Sequence, residues 1–147
     1  MNLLRSLCFA FIFALSLIGC GEQDKVSNVL VQDSTDDLAQ GEVVGTTSLV
    51  GVGHISEGDV QLIYVAETNT YSLVMENFRS QNGPDLKVYL SEGSQPGNFL
   101  DLGGLKSTNG TLRYDFPAAQ FDERFDHVLI WCAKFGVTFG QGEFEAP

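Results

Sequence analysis

Beyond residue 40, apolar and polar positions alternate with a period of two. Leu86, Val88 and Leu90 fall on one side of an extended segment, with Lys87 and Tyr89 on the other. Leu112, Tyr114 and Phe116 alternate in the same way with Arg113 and Asp115. Side chains of a strand point alternately to its two faces, so this pattern predicts antiparallel strands with one face buried. Eight such segments are expected, at 46–52, 59–66, 71–78, 86–90, 99–102, 111–116, 128–134 and 137–144. Polar, glycine-rich clusters separate most of them, at 56–58, 67–70, 82–85, 92–97 and 107–110. About eight short strands in a chain of this length imply an all-β fold, a two-sheet antiparallel sandwich or jelly roll. No helical period and no internal repeat follow the N-terminal segment.

That segment has a different pattern. Arg5 precedes an apolar run over 7–18, broken only by Ser16. The run has the length of a signal-peptide core and is shorter than the ~20 residues a spanning helix needs. It ends in Leu17-Ile18-Gly19-Cys20, which looks like a bacterial lipoprotein processing site. The expected organisation is a signal peptide over 1–19, an acylated Cys20 with a flexible acidic tether to residue 40, and a β domain over 41–147. Two or more acyl chains give stable membrane attachment where a single chain is marginal. The expected location is the cell envelope, on the extracytoplasmic side of a membrane; the outer membrane fits because Gly21, not Asp, follows Cys20.

Charge narrows the function. The chain has 19 acidic and 8 Lys or Arg residues, a net charge of −11. Such a surface repels phosphate backbones, which excludes a nucleic-acid partner. The same sum argues against adhesion to anionic headgroups by charge and leaves membrane attachment to the lipid anchor. The acidic cluster Asp33, Asp36 and Asp37 fits no calcium-loop spacing and reads as a solvated linker.

Cysteine accounting singles out one residue. Cys8 belongs to the signal and Cys20 to the processing site, so Cys132 is the one thiol expected in the mature domain. A lone cysteine in an oxidising compartment is either buried and inert or kept for its reactivity. Three readings of Cys132 stand: a structural core thiol, a redox-active thiol, or a metal or haem ligand. A reactive thiol needs partial exposure and a neighbouring cation, and strand parity puts Lys134 on its side. Haem would need axial ligands from Cys132, His54, His127 or Met75, since the covalent Cys-x-x-Cys-His motif is absent. By the same parity His127 points away from Cys132, His54 sits among glycines at a strand end, and Met75 reads as core. A zinc or copper set from these residues lacks close ligand spacing, and no metal site is expected. No nucleophile elbow, papain-like context or phosphate loop is present, so no enzyme activity is expected. Gly83-Pro84-Asp85 reads as a rigid turn, with Gly83 taking any unusual dihedral.

Four stretches resemble one known family. They are Asn77-Phe-Arg-Ser-Gln-Asn-Gly-Pro-Asp-Leu-Lys-Val-Tyr-Leu-Ser91, Asp101-Leu-Gly-Gly-Leu105 with the strand that follows, Val128-Leu-Ile-Trp-Cys132, and Phe135-Gly-Val-Thr-Phe-Gly140. In this order they look like the DM-thirteen domain, the electron-transfer domain that often accompanies DOMON domains. The likeness spans about residues 41–144 and departs at Gln141-Gly142, where family members often carry a small apolar residue. It implies an electron-transfer accessory role at a cell surface, with an unidentified redox or protein partner. The characteristic family cysteine maps to Cys132, proposed to act as a naked thiol or through a group such as haem. The alternative for the whole domain is a non-catalytic binding module in which Cys132 is structural.

Overall fold

The computed structural model describes residues 41–146, so the expected signal, Cys20 and the tether lie outside the described residues. Eight antiparallel strands form the domain: β1 (Glu42–Gly51), β2 (Ser56–Val65), β3 (Thr70–Ser80), β4 (Leu86–Ser91), β5 (Phe99–Gly104), β6 (Asn109–Pro117), β7 (His127–Cys132) and β8 (Val137–Glu143). A single 3-10 turn, Ala118–Gln120, is the only helical element among the described residues. The hydrogen-bonded order is β5-β4-β7-β8-β1-β2-β3-β6. The sheet curls into a nearly closed barrel whose two halves share β1. The lower part of β1 pairs with β2, while its tip, Val50 and Gly51, pairs with Gln141 and Gly140 of β8.

Glycines permit that corner. A Cβ at Gly140 would stand 2.2 Å from the Ser56 Oγ, and one at Gly142 would stand 2.7 Å from the Thr47 side chain. Gly142, within the departure from the family pattern, thus leaves room for the Thr47 side chain of β1. Inward-facing Val60, Leu62, Leu73, Met75 and Phe78 of one half meet Leu86, Val88, Leu90, Val128, Ile130, Cys132 and Phe139 of the other. The alternation read from the sequence is the alternation that fills this core.

Three local expectations need correction. Ser56, Glu57 and Gly58 do not form a turn; they open β2, and Gly58, at φ 144°, sits in a bulge that bends the strand. The reversal lies just before them, over 52–55. Strand β7 stops at Cys132, because the Gly136 N–H donates to the Cys132 carbonyl at 2.9 Å and closes a turn over 133–136. Gly83 does not carry the unusual dihedral of its turn. Asp85 does, at φ 59°, a left-handed conformation Asp adopts more readily than most residues.

The seam between edge strands β5 and β6 is closed by a side chain. The Tyr114 hydroxyl donates to the Gly104 carbonyl at 3.1 Å and accepts from the Lys106 N–H at 2.9 Å. Burial pushes the Tyr114 phenol above its ordinary range, against a smaller lowering by the Lys106 N–H. A raised phenol contributes stability that is fully present below the unfolded value, about 10, and lost as pH rises through the folded one. Tyr114→Phe should cost about 1–3 kcal/mol at neutral pH, because two part-buried hydrogen bonds of the hydroxyl, each worth about 0.5–1.5 kcal/mol, are lost. Urea titrations at neutral pH and near pH 11 should show that cost shrinking in alkali.

Candidate functional site

Strand direction sorts the connections into two ends. The β1–β2, β3–β4, β5–β6 and β7–β8 connections lie at one pole of the barrel, and the remaining three lie at the other with residue 42. The far pole is plugged by aromatic rings, with Tyr71 4.4 Å from Phe121 and 5.7 Å from Phe116. The near pole holds Cys132, the last residue of β7.

Cys132 is fully buried and free. Its backbone pairs between Leu86 of β4 and Val137 of β8, which turns the side chain into the core. Its Sγ donates to the Pro84 carbonyl at 3.0 Å, and the Ala133 N–H donates to the Asp85 carbonyl at 3.0 Å. The Gly-Pro-Asp turn is therefore tied down on both sides of the cysteine. Pro84 contributes a fixed φ and, having no N–H, only an acceptor. Gly83 is small for a packing reason: a Cβ there would lie 2.8 Å from the Phe139 ring and 3.0 Å from Leu86. Phe139 in turn carries the His54 imidazole stacked on its face, with centroids 3.7 Å apart and planes 9° apart. The cover of this pole is thus the Gly83–Asp85 turn together with the Phe139–His54 stack.

His54 and Cys132 share a pole, and the other two candidates are elsewhere. His127 begins β7, about 17 Å from Cys132 at five strand steps. Its Nδ1 lies 2.7 Å from the Asp126 carboxylate, which also accepts the Gly93 N–H at 2.6 Å. The Gly93 N–H, then the histidine, hold Asp126 below the usual carboxylate range. Met75 is fully buried in β3, paired between Val60 and Leu112. These four side chains therefore do not converge as haem ligands, and no step through haem follows from them. Among the described residues no cluster of three His, Cys, Asp or Glu could hold a metal ion.

Lys134 is not on the Cys132 side. It belongs to the exposed turn after β7, with its Nζ 5.8 Å from the centre of the Phe135 ring. Strand parity cannot be carried past a strand end. The Pro84 carbonyl and Phe139 are the partners that sequence reasoning missed. The four stretches of the resemblance contain both, but no spacing in them shows that Phe139 bridges His54 and Gly83. The Ser56 and Thr138 hydroxyls, both buried, find no hydrogen-bond partner among the described residues.

The family model described as "Electron transfer DM13" matches residues 48–144. Those residues hold all but the first part of β1, and the whole of the cysteine pole. No curated protein and no solved structure matches the chain.

Proposed function

The chain belongs to the electron-transfer DM13 family, and from that premise we propose that it is a lipid-anchored, extracytoplasmic electron-transfer accessory domain whose centre is a guarded thiol, Cys132. The observation that carries this reading is the placement of the Cys132 sulfur. It is the free thiol of the described residues, it lies at the pole end of β7, and its Sγ is held by the Pro84 carbonyl of the Gly83–Asp85 turn. A thiol exposed at rest would react with any oxidant in an oxidising compartment; burial restricts its chemistry to moments when the Gly83–Asp85 turn lifts. The lipid anchor rests on the Leu17-Ile18-Gly19-Cys20 pattern, and the redox partner is an electron carrier of the envelope.

A second reading is favoured by the same burial: a binding module in which Cys132 is core filler and its S–H fastens the turn. The two readings differ in how the thiol becomes accessible. Local opening exposes little surface, so labelling by a thiol reagent should depend only weakly on urea and run faster than global unfolding. Labelling that tracks global unfolding at every urea concentration would establish Cys132 as structural. The visible spectrum of the native protein, taken first, tests for a bound chromophore.

A further inference from the structure

The basic charges of the described domain gather at one pole, while its carboxylates are spread over the rest of the barrel. At the cysteine pole, counting two strand residues on either side of each connection, lie Arg79, Lys87, Lys106 and Lys134 against Glu57 and Asp85. Every lysine of the described residues is there. The rest of the described domain carries twelve carboxylates against Arg113 and Arg124. The same pole collects apolar surface. Val50 and Phe135 are 65 % and 64 % exposed, and Val52, Ile55 and Val137 are also open to solvent. These residues sit on two adjacent hairpins, since the Val52 N–H donates to the Phe139 carbonyl at 2.9 Å. Only one other large apolar residue is exposed among the described residues: Phe99, stacked on Tyr89 at 4.5 Å.

We propose that this pole, led by Ile55 and Phe135 with Lys134 beside them, is a docking surface for an anionic lipid membrane. It acts in addition to any N-terminal anchor and depends on neither the anchor nor the chemistry of Cys132. Grouped exposed apolar residues mark a protein or a membrane contact, and the residue types decide between them. Lysine is depleted at protein interfaces, and valine is under-represented among their hot spots. Lysine beside aliphatic and phenylalanine tips suits a bilayer, where the apolar ends enter the acyl boundary and the ammonium stays among the phosphates. Each lysine near an anionic surface strengthens binding about fivefold. The net negative charge of the chain does not oppose this contact. Screening at physiological salt acts over ~8 Å; the nearest of the other carboxylates, Asp59, Glu76 and Asp101, stand three or four strand residues behind the connections, about 10 Å or more away.

All eight strands and the whole core lie between residues 42 and 143, so a chain starting at Gly21 keeps the fold and carries neither the apolar leader nor Cys20. That chain should cosediment with vesicles of phosphatidylcholine containing one-third phosphatidylglycerol, more weakly with phosphatidylcholine alone, and less as salt is raised. The emission of Trp131, the single tryptophan, should shift to the blue, because its ring lies beside the β7–β8 turn. Ile55→Ser with Phe135→Ser should lower partitioning at least about tenfold, and Lys134→Glu about twentyfold. Glu67→Gln at the far pole should leave it unchanged. Absence of partitioning, or partitioning that the Ile55 and Phe135 changes leave intact, overturns the proposal. So does a chain that ignores vesicles while a photocrosslinker at residue 135 captures a protein in the envelope, which would make the pole a protein interface.

Discussion

Replacing Phe139 by alanine should destabilise the domain by about 3–5 kcal/mol, the range for a large aromatic removed from a packed core. The ring is 4 % exposed and does three things at once. It fills the barrel beside Leu86, it lies against the Cα of Gly83, and it supports the His54 imidazole. Removing it leaves a cavity under the turn that covers Cys132. Two changes should therefore appear together: a lower urea midpoint at unchanged slope, and faster labelling of the thiol under native conditions. Phe139→Leu should retain much of the stability but lose the stack with His54. An unfolding free energy within about 1 kcal/mol of the parent for Phe139→Ala would show that Phe139 is not the keystone of this pole.

Gly51→Ala is the second change with a large expected effect. A Cβ at this position would lie 2.0 Å from the His54 carbonyl oxygen and 3.1 Å from the Ser56 nitrogen. Both are backbone atoms of the β1–β2 reversal, so no side chain can turn aside to make room. The hairpin has to move, and with it the two residue pairs that join β1 to β8 and the imidazole that rests on Phe139. The expected cost is about 3 kcal/mol, at the upper end for overpacking. Gly53 is the control. It has φ +67° and nothing within 4 Å of a new Cβ, so Gly53→Ala carries only the dihedral penalty, about 1–2 kcal/mol. If the two variants melt at the same temperature, dihedral strain and not steric overlap governs the reversal.

Most of the strand ladder was legible because each strand buries one face. Leu86, Val88 and Leu90 could be assigned to the core from alternation alone, and they pair with Cys132, Ile130 and Val128 there. Val128, Leu129 and Ile130 of β7, fully buried on both faces, also fit the sequence, which is apolar on both sides there. Errors gathered where the backbone leaves regular geometry. Ser56-Glu57-Gly58 has turn composition, yet a bulge absorbs the glycine within a strand. Val-Leu-Ile-Trp-Cys-Ala-Lys reads as one continuous strand, yet the 133–136 turn begins directly after Cys132. In both cases a long-range pairing overrode a local preference.

The sequence by itself determined the fold class, the strand count and the family. All of these follow from local periodicity, turn residues and motif order, which are properties of neighbours in the chain. Only the tertiary structure decided that Cys132 is sealed by the Pro84 carbonyl, that His54 reaches Phe139 and that His127 and Met75 do not join them. It also decided that the lysines and most of the exposed apolar tips of the described residues gather at one pole of an acidic chain. Composition sums charge over the whole chain, whereas screening makes a surface respond to the charges within a few ångströms. Antiparallel pairing brings residues 52, 84, 106 and 134 to one end, and no spacing along the chain encodes that meeting.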